Sequence, residues 1–233
     1  MPLYVRGPMC PWSDYAPATI AFCERRICAW VVEPSNAWSN AAYVLVGIWI
    51  LWRRRARPAT SLTSIGVAAV LLGIGSFSFH ATGIRVFEVV DVSGMYLISG
   101  LALTFALQRA MGWGDAVAVG FFAASVLLSG VLMVVLGNDG IAMFAVQTVA
   151  AIGIEARLWS RTPAAIAPWM VRAVVASVVA FVVWVLDKHG PLCDPDNHLV
   201  TGHAVWHVLT AVAIFFFFHF HERLRDAGLA RAR

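Results

Sequence analysis

Seven apolar runs fill most of the chain after residue 36. Each is close to the roughly 20 residues that a helix needs to cross about 30 Å of hydrocarbon. They cover 37–52, 62–81, 88–108, 115–136, 140–158, 168–187 and 201–220. The connections between them are short, and no linker, low-complexity tract or second core interrupts the series. Only 13% of the 233 residues are charged, against roughly 25% in soluble domains. The expected fold is therefore all-α: a polytopic, seven-transmembrane-helix bundle forming a single domain over 1–233. Its parts are an extracytoplasmic segment 1–36, a helix bundle 37–221 and a cytoplasmic tail 222–233.

The first 36 residues are mixed and rich in proline. No charged stretch followed by a short apolar run and a small-residue cleavage site appears, so no cleaved signal peptide is expected. Residues 18–32 read as a short interfacial helix. Basic residues set the orientation through the positive-inside rule. With the N-terminus outside, twelve face inward: Arg53, Arg54, Arg55, Arg57, Arg109, Arg157, Arg161, Arg172, Arg223, Arg225, Arg231 and Arg233. Five stay outside: Arg6, Arg25, Arg26, Arg85 and Lys188. The basic surplus follows topology and gives no reason to expect a nucleic-acid partner.

This orientation gathers the polar residues that apolar runs can least afford. The second run reaches outward and ends at His80, with Ser76 one turn deeper on the same face. Asp91 opens the third run in its first turn, and His203 and His207 lie four apart at the start of the seventh. Glu33, Asn36 and Asn40 open the first run, and Asp187 closes the sixth. Five helices thus deliver polar side chains to one depth, at the outer leaflet. Ionisable side chains inside membrane helices are expensive, and function is the first explanation for them.

Three imidazoles, a carboxylate and a hydroxyl are the donor set of a catalytic zinc site, which takes three protein ligands and keeps a position open. Bound zinc brings the pKa of its water down toward about 7. Asp91 is placed to carry a proton, and Ser76 to donate to a developing oxyanion. The plain alternatives are helix-end histidines bonded to water, and a serine bonded to a carbonyl one turn back. Ser78 takes that second role. His219 and His221, at the inner end of the last run, read as interfacial, as do Glu155 and Arg157, and Phe215–Phe218 as bulk.

The pattern Ser76-x3-His80-x10-Asp91, completed by His203-x3-His207, resembles the alkaline ceramidases. It fits the wider superfamily of seven-helix membrane hydrolases that includes the adiponectin-receptor-like proteins. Cys23-Glu24, Glu33-x2-Asn36-x3-Asn40, Trp184-x2-Asp187 and Cys193 add matches in the same order, over residues 23–207. The resemblance implies zinc bound by His80, His203 and His207, assisted by Ser76 and Asp91. The implied reaction is hydrolysis of the amide bond of ceramide or a related N-acyl lipid to a fatty acid and a sphingoid-type amine. It also implies a calcium site beside the zinc, here mapped onto Glu24, Glu33 and Asn36. Ala21 stands where that family carries an aspartate, and Arg26 where it carries an asparagine. An arginine among calcium ligands conflicts with a divalent cation, and the alternative is that Arg26 pairs with Glu24 or Glu33.

Cys10, Cys23, Cys28 and Cys193 all fall on the outer side, where disulfides persist, and four cysteines allow three pairings. The resemblance suggests Cys23–Cys193, which leaves Cys10–Cys28 as a second bridge. A retinal protein is excluded, because it needs a lysine in the last helix and Lys188 is the sole lysine. A haem cytochrome leaves Asp91 without a role. The remaining rival is a non-catalytic receptor or transporter with a structural zinc site. The Ala-, Val- and Arg-rich composition points to a bacterial inner membrane, with the active site near the periplasmic leaflet. The partners expected are the lipid bilayer and the lipid substrate, with no obligate protein partner.

Overall fold

A computed structural model of the chain describes residues 10–56, 60–137 and 140–230. The basic residues Arg6, Arg57, Arg231 and Arg233 lie outside the described residues. Helices follow in the order α1 (Pro34–Ser39), α2 (Ala41–Arg54), α3 (Thr60–Thr82), α4 (Arg85–Met111), α5 (Asp115–Leu136), α6 (Ile141–Arg157), α7 (Ala167–His189) and α8 (Gly202–Asp226). A 3-10 turn at Trp159–Arg161 precedes α7. Among the described residues the only β-type pairing is an isolated bridge between Pro17 and Ile84.

Five helices, α3, α4, α5, α7 and α8, are long and apolar enough to cross a membrane. The first and fifth apolar runs fall short of that measure: α2 has 14 residues and α6 has 17. The first run is divided at Asn40, whose Nδ2 donates to Asn36 O at 2.8 Å and Ala37 O at 3.3 Å. Side-chain bonds of this kind compete with the backbone ladder. α4 starts three residues before the expected position 88, so Asp91 sits in its second turn rather than its first. α8 continues to Asp226, so residues 222–226 are helix rather than tail, and Glu222 is buried within it.

Helices α2, α3, α4 and α8 form the centre, with α6 against α4. Small residues set the tightest crossing: a Cβ on Gly47 of α2 would lie 2.7 Å from the Gly66 carbonyl of α3. Close backbone approach at small residues is how membrane helices gain contact. Ile50, Ile65, Ala69, Leu72, Leu101, Ile214 and Phe218 fill the space between. Helices α5 and α7 are the most apolar, yet only 11% of each span is buried. Val131, Val134 and Val135 on α5 and Val171, Val175 and Val182 on α7 are exposed. Belts of bare valine this large are not a soluble monomer's surface; they suit lipid.

Residues 18–32, expected as an interfacial helix, contain none. Their backbone groups serve the ends of other helices instead. The last carbonyls of a helix lack intrahelical partners; here Glu33 N donates to His80 O at 3.1 Å and Val32 N to Ala81 O at 3.0 Å. At the start of α4, Arg85 N donates to Ala16 O at 2.8 Å. Buried Glu88 accepts from Thr19 N at 2.5 Å and Thr19 Oγ1 at 2.6 Å. Disulfides Cys10–Cys28 and Cys23–Cys193 tie this segment to itself and to the α7–α8 loop. The N-terminal segment is therefore a plug over one end of the bundle.

The basic residues sort by end. Arg25, Arg26, Arg85 and Lys188 lie at the plugged end, and Arg53, Arg54, Arg55, Arg109, Arg157, Arg161, Arg172, Arg223 and Arg225 at the far end. Two groups expected at an interface are buried there. Glu155 pairs with Arg109, and Arg109 Nη2 also donates to Thr162 at 2.6 Å, while Arg157 is exposed as expected. His221 is buried among Phe105, Phe217 and Phe220. His219 packs on Trp49 and Trp169. Of the phenylalanine run, Phe218 is fully buried.

Candidate metal centre

His80 lies in the last turn of α3, and His203 and His207 lie in the first two turns of α8. The crossing of these helices under the plug brings the three imidazoles together. One nitrogen from each falls within 4.8 Å of the others. All three rings are buried, His80 completely. Phe22 from the plug covers the group, its ring stacked on His203 with centroids 3.8 Å apart.

The tautomers follow from the hydrogen bonds. His80 Nδ1 lies 2.6 Å from Glu33 Oε2, a carboxylate that can only accept, so Nδ1 carries the proton and Nε2 is bare. Ser39 Oγ donates to Asn36 O at 2.9 Å and so accepts from His207 Nδ1 at 2.8 Å, which leaves His207 Nε2 bare. His203 Nε2 lies 3.3 Å from His80 Nε2, and His203 Nδ1 is buried without a hydrogen-bond partner among the described residues. Three buried imidazoles whose ring nitrogens converge in this way can share one cation. The donor set and its outer hydrogen bonds fit a transition-metal ion.

The carboxylate behind His80 is itself held. Glu33 Oε1 accepts from Arg26 Nε at 2.6 Å, and Oε2 also accepts from Asn36 Nδ2 at 3.2 Å. Burial raises the Glu33 pKa, but His80 and Arg26 outweigh burial and hold it at about 2. Glu24 serves the backbone instead. Its oxygens accept from Ser35 N and Asn36 N, each at 2.9 Å, and so cap α1. It also lies 3.0 Å from His198 Nδ1. Asn36 Oδ1 accepts from Thr201 Oγ1 at 2.6 Å.

Ser76 and Asp91 stand beside the histidines, one turn down α3 and in the second turn of α4. The Ser76 hydroxyl lies near the Asp91 carboxyl. Both line a cavity of about 310 Å³ together with His203 and His207. Its other walls are largely apolar and come from the plug and from α2, α3, α4, α6, α7 and α8, including Leu72, Met95, Phe144, Ile152, Phe181 and Trp206. A second, smaller cavity of about 120 Å³ shares Leu72, Met95 and Ile152 with it and runs on to Glu155. Ser78 faces elsewhere and bonds the Ile74 carbonyl at 2.8 Å. Asp187 is not in the cluster: its Oδ1 accepts from Gly202 N at 2.9 Å and fixes the start of α8.

Four contributors were not singled out by sequence reasoning. Ser39 orients His207, Phe22 stacks on His203, and Thr201 caps α8 through Ala204 N at 3.0 Å. Glu88 anchors the plug. Ser39 lies within the Asn36-x3-Asn40 motif and Phe22 adjoins Cys23-Glu24, so proximity was the available signal. Nothing in a one-dimensional pattern tells that Ser39 reaches a helix 168 positions away.

Comparison with known proteins bears on all of these elements together. Alkaline ceramidase YPC1 of Saccharomyces cerevisiae is 24% identical to the chain over 248 residues, covering 92% of this chain and 78% of the yeast protein. The sequence profile of the ceramidase family matches residues 14–231, from the plug through the three histidines to the end of α8. A match of that extent leaves no part of the described bundle outside it, and the chain belongs to the ceramidase family.

Proposed function

We propose that this protein is a zinc-dependent membrane amidase that hydrolyses ceramide or a related N-acyl lipid to a free fatty acid and a sphingoid-type amine. The observation that carries the reading is the convergence of His80, His203 and His207, with His203 and His207 lining a largely apolar cavity beside Ser76 and Asp91. The family supports the reaction, and the curated relative is itself described as an alkaline ceramidase.

His80, His203 and His207 would hold the metal, which when bound polarises a carbonyl and makes water nucleophilic near neutral pH. The protein's own groups do the rest. Glu33 and Ser39 fix the rings of His80 and His207. Ser76, at the cavity wall, donates to the amide oxygen as negative charge develops there. Asp91 carries the proton from water to the departing amine, which is a poor leaving group until protonated. Phe22 and the plug keep bulk water from the ligand side. The apolar walls take the hydrocarbon chains, and a cavity of about 310 Å³ falls at the lower end of the range for small-molecule sites.

In the membrane, α2 and α6 join the five longer helices to make seven spans in one domain, with the N-terminus outside and the C-terminus in the cytoplasm. The far end's concentration of arginine supports that orientation. It puts the site near the periplasmic leaflet of a bacterial inner membrane, where both disulfides persist. The deciding experiment incubates purified protein with a panel of N-acyl lipids, with and without a zinc chelator. Chelator-sensitive release of free fatty acid from at least one lipid is expected. Release from none of them, by protein that retains its zinc, would favour a structural metal.

A further inference from the structure

Arg26 is buried, and its guanidinium is surrounded by oxygen. Nε donates to Glu33 Oε1 at 2.6 Å, Nη2 to Ile20 O at 3.1 Å and Nη1 to Gly83 O at 3.5 Å. The three oxygens come from the plug, from the residue ahead of α1 and from the α3–α4 turn. Gly83 has φ +65°, a conformation that L side chains rarely adopt. A Cβ there would also stand 3.2 Å from Arg26 Nε and 3.3 Å from its Cζ. The turn is thus shaped around the guanidinium.

One carboxylate oxygen and two backbone carbonyls are the ligands a hard divalent cation takes. Here a side chain fills the space among them. The other oxygens of Glu33, Glu24 and Asn36 are already engaged by protein donors. Glu33 Oε2 receives His80 and Asn36, Glu24 receives two backbone N–H groups and His198, and Asn36 Oδ1 receives Thr201. Glu24, Glu33 and Asn36 therefore do not fit a calcium ion as they stand. A buried carboxylate still needs a positive partner, and the partner is Arg26.

We infer that Arg26 replaces a divalent cation: it is a tethered counter-charge that fixes Glu33 and, through Glu33, the orientation of the His80 ring. Arg26 is a positioning residue, acting on the metal ligand through the carboxylate. The role rests on the proposed metal centre, and it makes that centre independent of any second cation. A single positive charge in a planar fork replaces a sphere of two charges, and specificity comes from three directed N–H donors.

The test measures metals as well as turnover. Equilibrium dialysis of the wild-type protein against millimolar calcium is expected to show no bound calcium. A calcium-selective chelator is expected to leave zinc content and fatty-acid release unchanged. Arg26→Ala is expected to bind zinc about 10–100-fold more weakly, the usual size of an outer-ligand effect, with calcium restoring part of that affinity from among the vacated oxygens. Arg26→Lys, which keeps the charge and loses the fork, should lie between and ignore calcium. One calcium per wild-type chain, with zinc or activity lost on its removal, would overturn the inference. So would an Arg26→Ala protein with wild-type zinc affinity, or one whose weakened affinity calcium cannot raise. If Arg26→Ala fails to fold, the wild-type dialysis and Arg26→Lys still decide. Wild-type protein that binds no zinc at all would remove the hydrolase reading, while the calcium dialysis would still judge Arg26.

Discussion

Glu33 Oε2 and His80 Nδ1 meet at 2.6 Å, although 47 positions separate them in the chain. The contact needs two backbone facts: the plug caps α3 through Glu33 N and His80 O, and α1 begins at the next residue. The same residue therefore satisfies the helix end by its main chain and the imidazole by its side chain. A carboxylate behind a ligating histidine fixes its tautomer and raises its basicity.

Glu33→Gln tests that arrangement. The amide has nearly the same shape but loses the charge that His80 Nδ1 and Arg26 share. The zinc dissociation constant is expected to rise about 10–100-fold, read by competition with a chelator of known affinity. An unchanged constant would show that His80 is oriented by packing alone.

Removing a ligand should cost more than removing its support. His80→Ala, His203→Ala and His207→Ala should each purify with most of the zinc missing, by elemental analysis of the protein. Two remaining imidazoles do not complete a three-ligand site. Full zinc occupancy in His203→Ala would reject the assignment of the α8 pair.

The plug gives a third expectation. Peptide mapping without reductant should recover Cys10–Cys28 and Cys23–Cys193 as linked pairs. Cys23→Ser should lower stability by about 2–5 kcal/mol, the usual loss for a native bridge, read as a lower unfolding temperature in detergent. Free thiols at Cys23 and Cys193 would reject the bridge and weaken the case for an outside N-terminus.

The helices were legible in the sequence because hydrocarbon leaves a strong one-dimensional signal: α5 covers 115–136 as read from the pattern. Spacing also exposed His80, His203 and His207, since imidazoles stand out in runs of Leu, Val and Ala. The plug was not legible. Its conformation is set by orphan carbonyls at the end of α3 and by Glu88 on α4, groups that local sequence does not display. The same blindness placed Glu155 and His221 at an interface. Glu155 is buried because Arg109 approaches from α4, and His221 because Phe105 does.

That buried pair at the far end gives a prediction independent of the metal. Glu155→Ala leaves Arg109 in the interior with Thr162 as its remaining hydrogen-bonded partner. Breaking a buried pair from one side typically costs about 3–5 kcal/mol. The unfolding temperature should fall while zinc content per folded chain stays at the wild-type level. Unchanged stability would mean that water or lipid headgroups reach Arg109.

The last prediction separates metal binding from chemistry. Attack on an amide carbonyl builds negative charge on its oxygen and then has to protonate a poor leaving amine. Asp91 and Ser76 line the cavity together with His203 and His207, yet neither belongs to the three-nitrogen cluster. Asp91→Asn removes the proposed proton carrier while keeping its size, so turnover should fall by about 10²–10⁴-fold, the range for general acid–base groups. Ser76→Ala should lose up to about 10²–10³-fold, the range for an oxyanion donor. Both variants should keep their zinc, measured on the preparations used for fatty-acid release. Wild-type turnover in Asp91→Asn would remove Asp91 as the proton carrier. Loss of zinc from that variant would recast Asp91 as a ligand or as a support of the ligands.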